Sequence, residues 1–211
     1  GDSAALRGDL LAGPRRLVVI GAGFIGAEVA ATARGMGLEV TIVETLDLPL
    51  ARVLPPALGQ VCADLHRDHG VDLRLGVGVS RLRADGSGRV AALELADGSS
   101  IEADVVLVGI GVVPNTEWLQ GSGLTIDDGV GCDEATLAAP GVVAAGDVAR
   151  WTNPRFGESA RVEHWDNAVA MGQHAARRLL AGDGPGEPYA PVPYFWSDQY
   201  DRKIQLVGRV A

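Results

Sequence analysis

The chain has 211 residues, 47% of them hydrophobic and 21% charged, with 29 glycines and a formal net charge of −9. This is the balance of an ordinary soluble protein of one or two domains, able to bury a real core. Its negative field argues against nonspecific attraction to nucleic acid or anionic lipid. The excess is uneven: residues 1–146 carry 10 Arg against 19 acidic side chains, whereas residues 147–211 balance 8 basic against 8 acidic ones. Arg150, Arg155, Arg161, Arg177, Arg178, Arg202 and Lys203 thus offer a local basic face on an acidic molecule, with scattered surface charge as the default alternative.

Cys62 and Cys132 lie 70 positions apart and form neither a CxxC nor a CxxxxC pair, which argues against a redox-active dithiol. Both read as reduced, small apolar residues. The longest apolar run, 17–33, is broken by three glycines and Glu28, and no cationic and apolar leader opens the chain. A cytoplasmic location is expected.

In chain order, residues 1–14 are polar and end in Pro14, the pattern of a linker. Arg16–Ile20 (RLVVI) is the short apolar run that a parallel strand buried on both faces requires. A helix is predicted over 24–36, ending at Gly37, and a β-branched strand over Glu39–Val43, which together complete one strand–helix–strand unit. Pro55 and Pro56 open a helix predicted to run to His69. A strand follows over 71–75. From 77 to 107 the pattern turns to short alternating strands with turns at Asp85-Gly86 and Asp97-Gly98, an antiparallel meander inserted in a parallel sheet. Residues 104–108 (DVVLV) return to the buried parallel type and end at Gly109-Ile110-Gly111. Beyond a Gly-rich stretch over 121–131, a strand is predicted over 142–145, closing in Gly146-Asp147. A helix over 161–180, a Pro- and Gly-containing linker over 182–193 and a strand over 203–207 complete the chain.

The strongest motif is Gly21-Ala22-Gly23-Phe24-Ile25-Gly26, directly after a predicted strand and at the start of a predicted helix. Gly21 permits the sharp turn, Gly23 lets backbone approach a pyrophosphate, and Gly26 allows close packing of helix on strand. The helix N-terminus adds N–H groups and a partial positive charge. Glu44, 23 residues beyond Gly21 and at the end of the second strand, is placed to accept hydrogen bonds from adenine-ribose hydroxyls. That carboxylate repels a 2′-phosphate, and residues 45–50 contain Asp47 and no Arg. The predicted ligand is therefore NADH rather than NADPH. His66 and His69 form an HxxH on a predicted helix; without a third ligand nearby in sequence, a solvated helix surface is expected there.

With this unit in place, the chain resembles the FAD-dependent, pyridine-nucleotide-linked reductases, especially the ferredoxin reductases of oxygenase and cytochrome P450 systems. The resemblance spans essentially the whole chain. It rests on GAGFIGAE (Gly21 to Glu28), VGIGVVPN (Val108 to Asn115), AAGDV (Ala144 to Val148), EHWDNA (Glu163 to Ala168) and YFWSDQ (Tyr194 to Gln199), in that order. It implies an α/β fold: a Rossmann-like NAD-binding domain over 15–114 with the inserted meander, the C-terminal part of an FAD-binding domain over 115–188, and the start of an α+β domain over 189–211. Residues 1–14 remain a linker.

The resemblance also implies roles. Phe24 and Ile25 share the phosphate turn with Gly21, Gly23 and Gly26, while Gly109, Ile110 and Gly111 form a loop beside the nicotinamide and pyrophosphate. Glu28 resembles the acidic residue near the nicotinamide carboxamide, with the alternative that it is only a charge near a helix N-terminus. Asp147, beside Val148, resembles the carboxylate that binds the ribityl chain of FAD. Glu163, Ala168, Trp165 and Trp196 fall in motifs beside the isoalloxazine, although tryptophans equally fill cores and interfaces. Hydride then passes from the nicotinamide to the flavin, a matter of orientation rather than acid–base chemistry, and single electrons leave for a ferredoxin-like iron–sulfur protein. The Arg-containing C-terminal portion is the expected dock, with Trp196 near the exit path.

Two family features are missing from the sequence: an earlier Gly-x-Gly-x-x-Gly turn for the ADP half of FAD, and the rest of the C-terminal α+β domain. The resemblance thus implies an N-terminally truncated piece with an incomplete FAD site, expected to keep affinity for NADH but hold FAD poorly. The alternative function is a non-catalytic NAD-binding or redox-sensing module related to the apoptosis-inducing flavoproteins.

Overall fold

In the computed structural model, which describes residues 1–182, 184 and 186–209, the chain divides into two compact units. The first comprises Gly1–Gly111 and Ser197–Ile204, the second Val112–Trp196 and Gln205–Arg209.

The first unit is built on the apolar run that forms β1 (Arg16–Ile20). It follows α1 (Asp2–Leu11) and precedes α2 (Phe24–Gly35), β2 (Glu39–Val43), α3 (Pro56–Asp68) and β3 (Asp72–Arg74). The antiparallel β4 (Val79–Ala84), β5 (Val90–Leu95) and β6 (Ser100–Glu102) come next, then β7 (Val105–Val108). β3, β2, β1 and β7 pair side by side in parallel, with Leu17 opposite Val40 and Val105. Because successive side chains point to opposite faces of a strand, β1 serves two cores. Leu17 and Val19 pack with Leu10, Ala30, Ala33 and Val71 from the helical side, while Val18 packs with Val43, Leu93, Leu95 and Ala103 under the meander. Each of the buried Leu and Val side chains among these contributes roughly 1.5–3 kcal/mol.

Residues 1–14 differ from the expected linker. α1 forms there because Leu6 and Leu10, four apart, reach the first core from one helix face.

His66 also departs from expectation. It is completely buried rather than solvated, with its Nδ1 hydrogen-bonded to the Tyr200 hydroxyl at 2.7 Å. Tyr200 stacks on His69 with ring centroids 4.0 Å apart and holds a left-handed φ of 55°. Burial, with a smaller push from His69, lowers the His66 pKa to about 4. An imidazole that ionises near 6.5 in the unfolded chain therefore favours the native state at and above neutral pH, and this contribution is lost as pH falls from about 6.5 toward 4. Urea titrations are expected to show the unfolding free energy falling by roughly 2 kcal/mol between pH 7 and pH 5. A His66→Gln variant should lack that part of the slope; an unchanged slope would contradict the assignment.

The second unit contains β8 (Val130–Gly131), β9 (Leu137–Ala139), β10 (Val142–Val143), β11 (Ala149–Asn153), β12 (Glu158–Ala160) and α4 (Trp165–Leu180). β11 lies between β8 and β12, and β9 pairs with β10. The core gathers Ala149, Trp151, Met171 and Tyr189. Tyr189 falls in the expected linker over 182–193, yet it is tied down: the Trp151 indole donates to its carbonyl and its hydroxyl donates to Asn167. Asp183 and Pro185 of that stretch lie outside the described residues. The strands β13 (Tyr194–Gln199) and β14 (Arg202–Val207) pair with each other. Among the described residues, no helix is long and apolar enough to cross a membrane.

Candidate functional site

The C-terminal ends of β2, β1 and β7 meet at one edge. The Gly21 N–H donates to the Val43 carbonyl and the Gly109 N–H to the Ile20 carbonyl, both at 2.8 Å. β1 sends its chain toward β2 on one side and pairs with β7 on the other, so this edge is the point where strand order reverses, the general crevice for ligands in open α/β sheets.

The three motif glycines are needed for different reasons. Gly21 has a φ of 100°, and a Cβ there would lie 2.4 Å from the Gly109 carbonyl oxygen. At Gly26 a Cβ would come within 2.1 Å of the Gly21 carbonyl oxygen, so α2 is held against the turn by the absence of a side chain. Gly23 is the opposite case: a Cβ would meet nothing within 4 Å, and its φ of −76° suits any residue. The protein itself places no demand for glycine at that position. Gly23 is also the N-cap of α2, which has no side-chain cap, and the leading N–H groups of the helix have no intrahelical partner. Beside it, Ile25 is exposed and Phe24 half-buried against Leu50 and Leu54. In the loop after β7, Gly111 has a φ of 122° with open space around it, and Ile110 is exposed.

Glu44 closes the edge from the β2 side. Its Oε2 accepts from the Ala22 N–H at 2.8 Å; its Oε1 accepts from the Leu46 N–H at 2.9 Å and the Thr45 hydroxyl at 3.0 Å. Burial pushes this carboxyl up, but the N–H groups of Ala22 and Leu46 and the Thr45 hydroxyl outweigh it and leave the pKa below the ordinary carboxylate value. The charge is therefore fixed in position before any ligand arrives. Each carboxylate oxygen has about two lone-pair sites, so Oε2 keeps capacity for one more donor.

Glu28 lies one turn into α2, half-buried, and its Oε1 accepts from the Ser197 hydroxyl at 2.7 Å. The partner is 169 residues away in sequence, so nothing local to either residue announces the pair. Ala22, Thr45, Leu46 and Ser197 are the site residues that the sequence reading misses. Ala22 and Leu46 act through backbone amides, which leave no signature in residue type, and Thr45 through its hydroxyl.

In the second unit, the structure gathers Asp147, Val148, Glu163 and Ala168. Asp147 and Val148 sit in a 3-10 turn just before β11, and the preceding Gly146, at φ 74°, faces Ala168 of α4 with room for a Cβ at 3.5 Å. Arg161 ties the group together: it donates to the Asp147 carbonyl at 2.9 Å and forms ion pairs with Asp128 and Glu163. The Asp147 side chain is left exposed. Trp165, 70% exposed, meets Trp196 edge to face with ring centroids 5.8 Å apart, and Tyr194 stacks on Trp196. The second unit thus presents an exposed carboxylate at Asp147 and an aromatic pair of which Trp165 is exposed and Trp196 half-buried.

The expected basic docking face fails at Arg161, whose side chain is only 11% exposed because three acceptors hold it inside. Arg150 shares Asp128 with it, Arg155 donates to the Ala190 carbonyl, Arg202 pairs with Asp201 and Lys203 with Asp198. These cations are engaged in local ties.

Comparison with known proteins agrees with this geometry. The family model described as pyridine nucleotide-disulphide oxidoreductase matches residues 3–172. Rhodocoxin reductase of Rhodococcus erythropolis is 44% identical over 197 residues, covering 92% of this chain and 45% of the relative. Among solved structures, the ferredoxin reductase for the CYP199A2 system from Rhodopseudomonas palustris superposes with a TM-score of 0.92 at 41% identity, covering 99% of this chain and 51% of that one. Putidaredoxin reductase in covalent complex with putidaredoxin gives 0.90 at 36% identity, covering 99% and 49%. The chain thus spans about half the length of the relatives it matches. Since the match runs through the Gly21–Gly26 turn, Glu44 and the turn at Asp147 alike, the chain belongs to the pyridine nucleotide-disulphide oxidoreductase family.

Proposed function

We propose that this chain is the NADH-binding part of a flavoprotein reductase that passes electrons from NADH through FAD to a ferredoxin-like iron–sulfur protein in the cytoplasm. The observation that carries the reading is the Glu44 carboxylate, fixed by three donors beside the Gly21–Gly26 turn. The relatives named as reductases of rhodocoxin and putidaredoxin support the choice of acceptor.

When bound, FAD accepts hydride from NADH and releases electrons one at a time. The work of this chain is binding and orientation. Gly23 gives a pyrophosphate close approach to the backbone, and the first turn of α2 supplies N–H donors and its dipole, with Phe24 and Ile25 beside it. Oε2 of Glu44 takes up a ribose hydroxyl, while the fixed charge repels a 2′-phosphate. Glu28 receives the nicotinamide carboxamide, and Gly109, Ile110 and Gly111 border the same ligand. Asp147 with Val148, held by Arg161 against Glu163 and by Gly146 against Ala168, presents a carboxylate to the ribityl chain; Trp165 and Trp196 offer ring faces to the isoalloxazine. No side chain needs to move a proton in the hydride step.

Calorimetric titration tests this directly. The purified chain should bind NADH at least tenfold more tightly than NADPH, and its absorbance spectrum should show no stoichiometric flavin band. Indifference to NADH, or tighter binding of NADPH, would remove the basis of the proposal.

A further inference from the structure

Behind Glu28 stands a polar chain that the dinucleotide motif does not require. Ser197 and Gln199, both on β13, are completely buried. The Gln199 side-chain amide donates to the Ser197 hydroxyl oxygen at 3.1 Å, and that hydroxyl donates to Glu28 Oε1 at 2.7 Å. The direction of the relay follows from chemistry. A carboxylate only accepts, so the one Ser197 proton points at Glu28, and the serine oxygen must then accept from the Gln199 NH₂. Each bond polarises the next. The arrangement leaves the Gln199 Oε1 buried without a partner. A buried acceptor left unsatisfied is unfavourable and rare, so keeping the amide in this orientation favours the end that serves Ser197.

Among the described residues, Oε2 of Glu28 accepts no hydrogen bond, which leaves it to a ligand donor. We infer that Ser197, backed by Gln199, is a positioning residue that fixes the Glu28 carboxylate so that its outward oxygen receives the primary carboxamide N–H of the nicotinamide. A glutamate on the solvated side of a helix has several rotamers of similar energy, and freezing one before the ligand arrives reduces the entropy lost on binding. The inference rests on the assignment of Glu28 to the nicotinamide end proposed above.

ADP-ribose, which has both phosphates and the adenosine but no nicotinamide, separates the roles. Titrated into this chain, Ser197→Ala should bind NADH about 5- to 10-fold more weakly, the range of one ordinary hydrogen bond, and ADP-ribose as tightly as the parent. In a Glu28→Gln background the same change should add less than twofold. Gln199→Leu, which keeps the hydroxyl, should give a smaller loss of the same kind, and it carries the test if Ser197→Ala does not fold. Equal weakening of NADH and ADP-ribose would make Ser197 a merely structural residue and overturn the inference, as would unchanged NADH affinity. If Glu28→Gln itself fails to distinguish NADH from ADP-ribose, the role of Glu28 falls instead.

Discussion

Replacing Gly26 with alanine is expected to damage folding and binding together. The new methyl would lie 2.1 Å from the Gly21 carbonyl oxygen and 3.1 Å from a Val19 methyl, and the first of these contacts is with backbone that no rotamer change can relieve. α2 must move away from β1, which loosens the Ala27 and Ala30 packing and turns the helix N-terminus out of line. Overpacking of this kind costs about 3 kcal/mol, readable in a urea unfolding curve, and NADH affinity should fall about 100-fold. Gly23→Ala is the internal contrast. Its methyl enters open space at an ordinary φ, so stability should hold or rise by about 0.5 kcal/mol, while NADH binding should drop tenfold or more if, as proposed, the pyrophosphate occupies that ground. If Gly23→Ala bound NADH normally, the pyrophosphate would have to lie elsewhere.

The second large effect is expected at Glu44. Glu44→Gln keeps the shape and one acceptor but removes the charge that we propose faces the adenine ribose, and it places an NH₂ where the carboxylate accepted from backbone. Hydrogen bonds to charged groups contribute about 1.5–3 kcal/mol, so NADH should bind roughly 10- to 100-fold more weakly. NADPH should lose less, since the repulsion of its 2′-phosphate goes too, and the ratio of the two dissociation constants should approach one. A variant that kept the parent's preference for NADH would show that discrimination resides in other residues.

These effects were largely legible in the sequence because their signals are local. RLVVI followed by GAGFIG specifies a strand, a turn and a helix in consecutive residues, and β1 and α2 occupy Arg16–Ile20 and Phe24–Gly35. The meander was equally readable from its turns, and its three strands pair antiparallel as expected. What escaped depends on partners distant in sequence. His66 reads as a surface histidine until Tyr200 covers it, and Arg161 reads as a surface cation until Asp128, Glu163 and the Asp147 carbonyl close around it. α1 was missed because only Leu6 and Leu10 reach the core, while Leu11 is exposed and Asp2, Ser3, Arg7, Gly8 and Asp9 dilute the apolar pattern. β11 was missed because Trp151 and Asn153, buried on one face, alternate with Arg150 and Thr152 in a run too short to stand out.

The first unit is not one stretch of chain. Residues Ser197–Ile204 return to it after Val112–Trp196 of the second unit have been laid down, bringing Tyr200 onto His66 and Ile204 onto Leu50 and Leu54. On a ribosome, the nucleotide turn is therefore synthesised long before the segment that covers α3. Until that segment emerges from the exit tunnel, Leu50 and Leu54 lack the side chain of Ile204 and His66 lacks its hydroxyl partner.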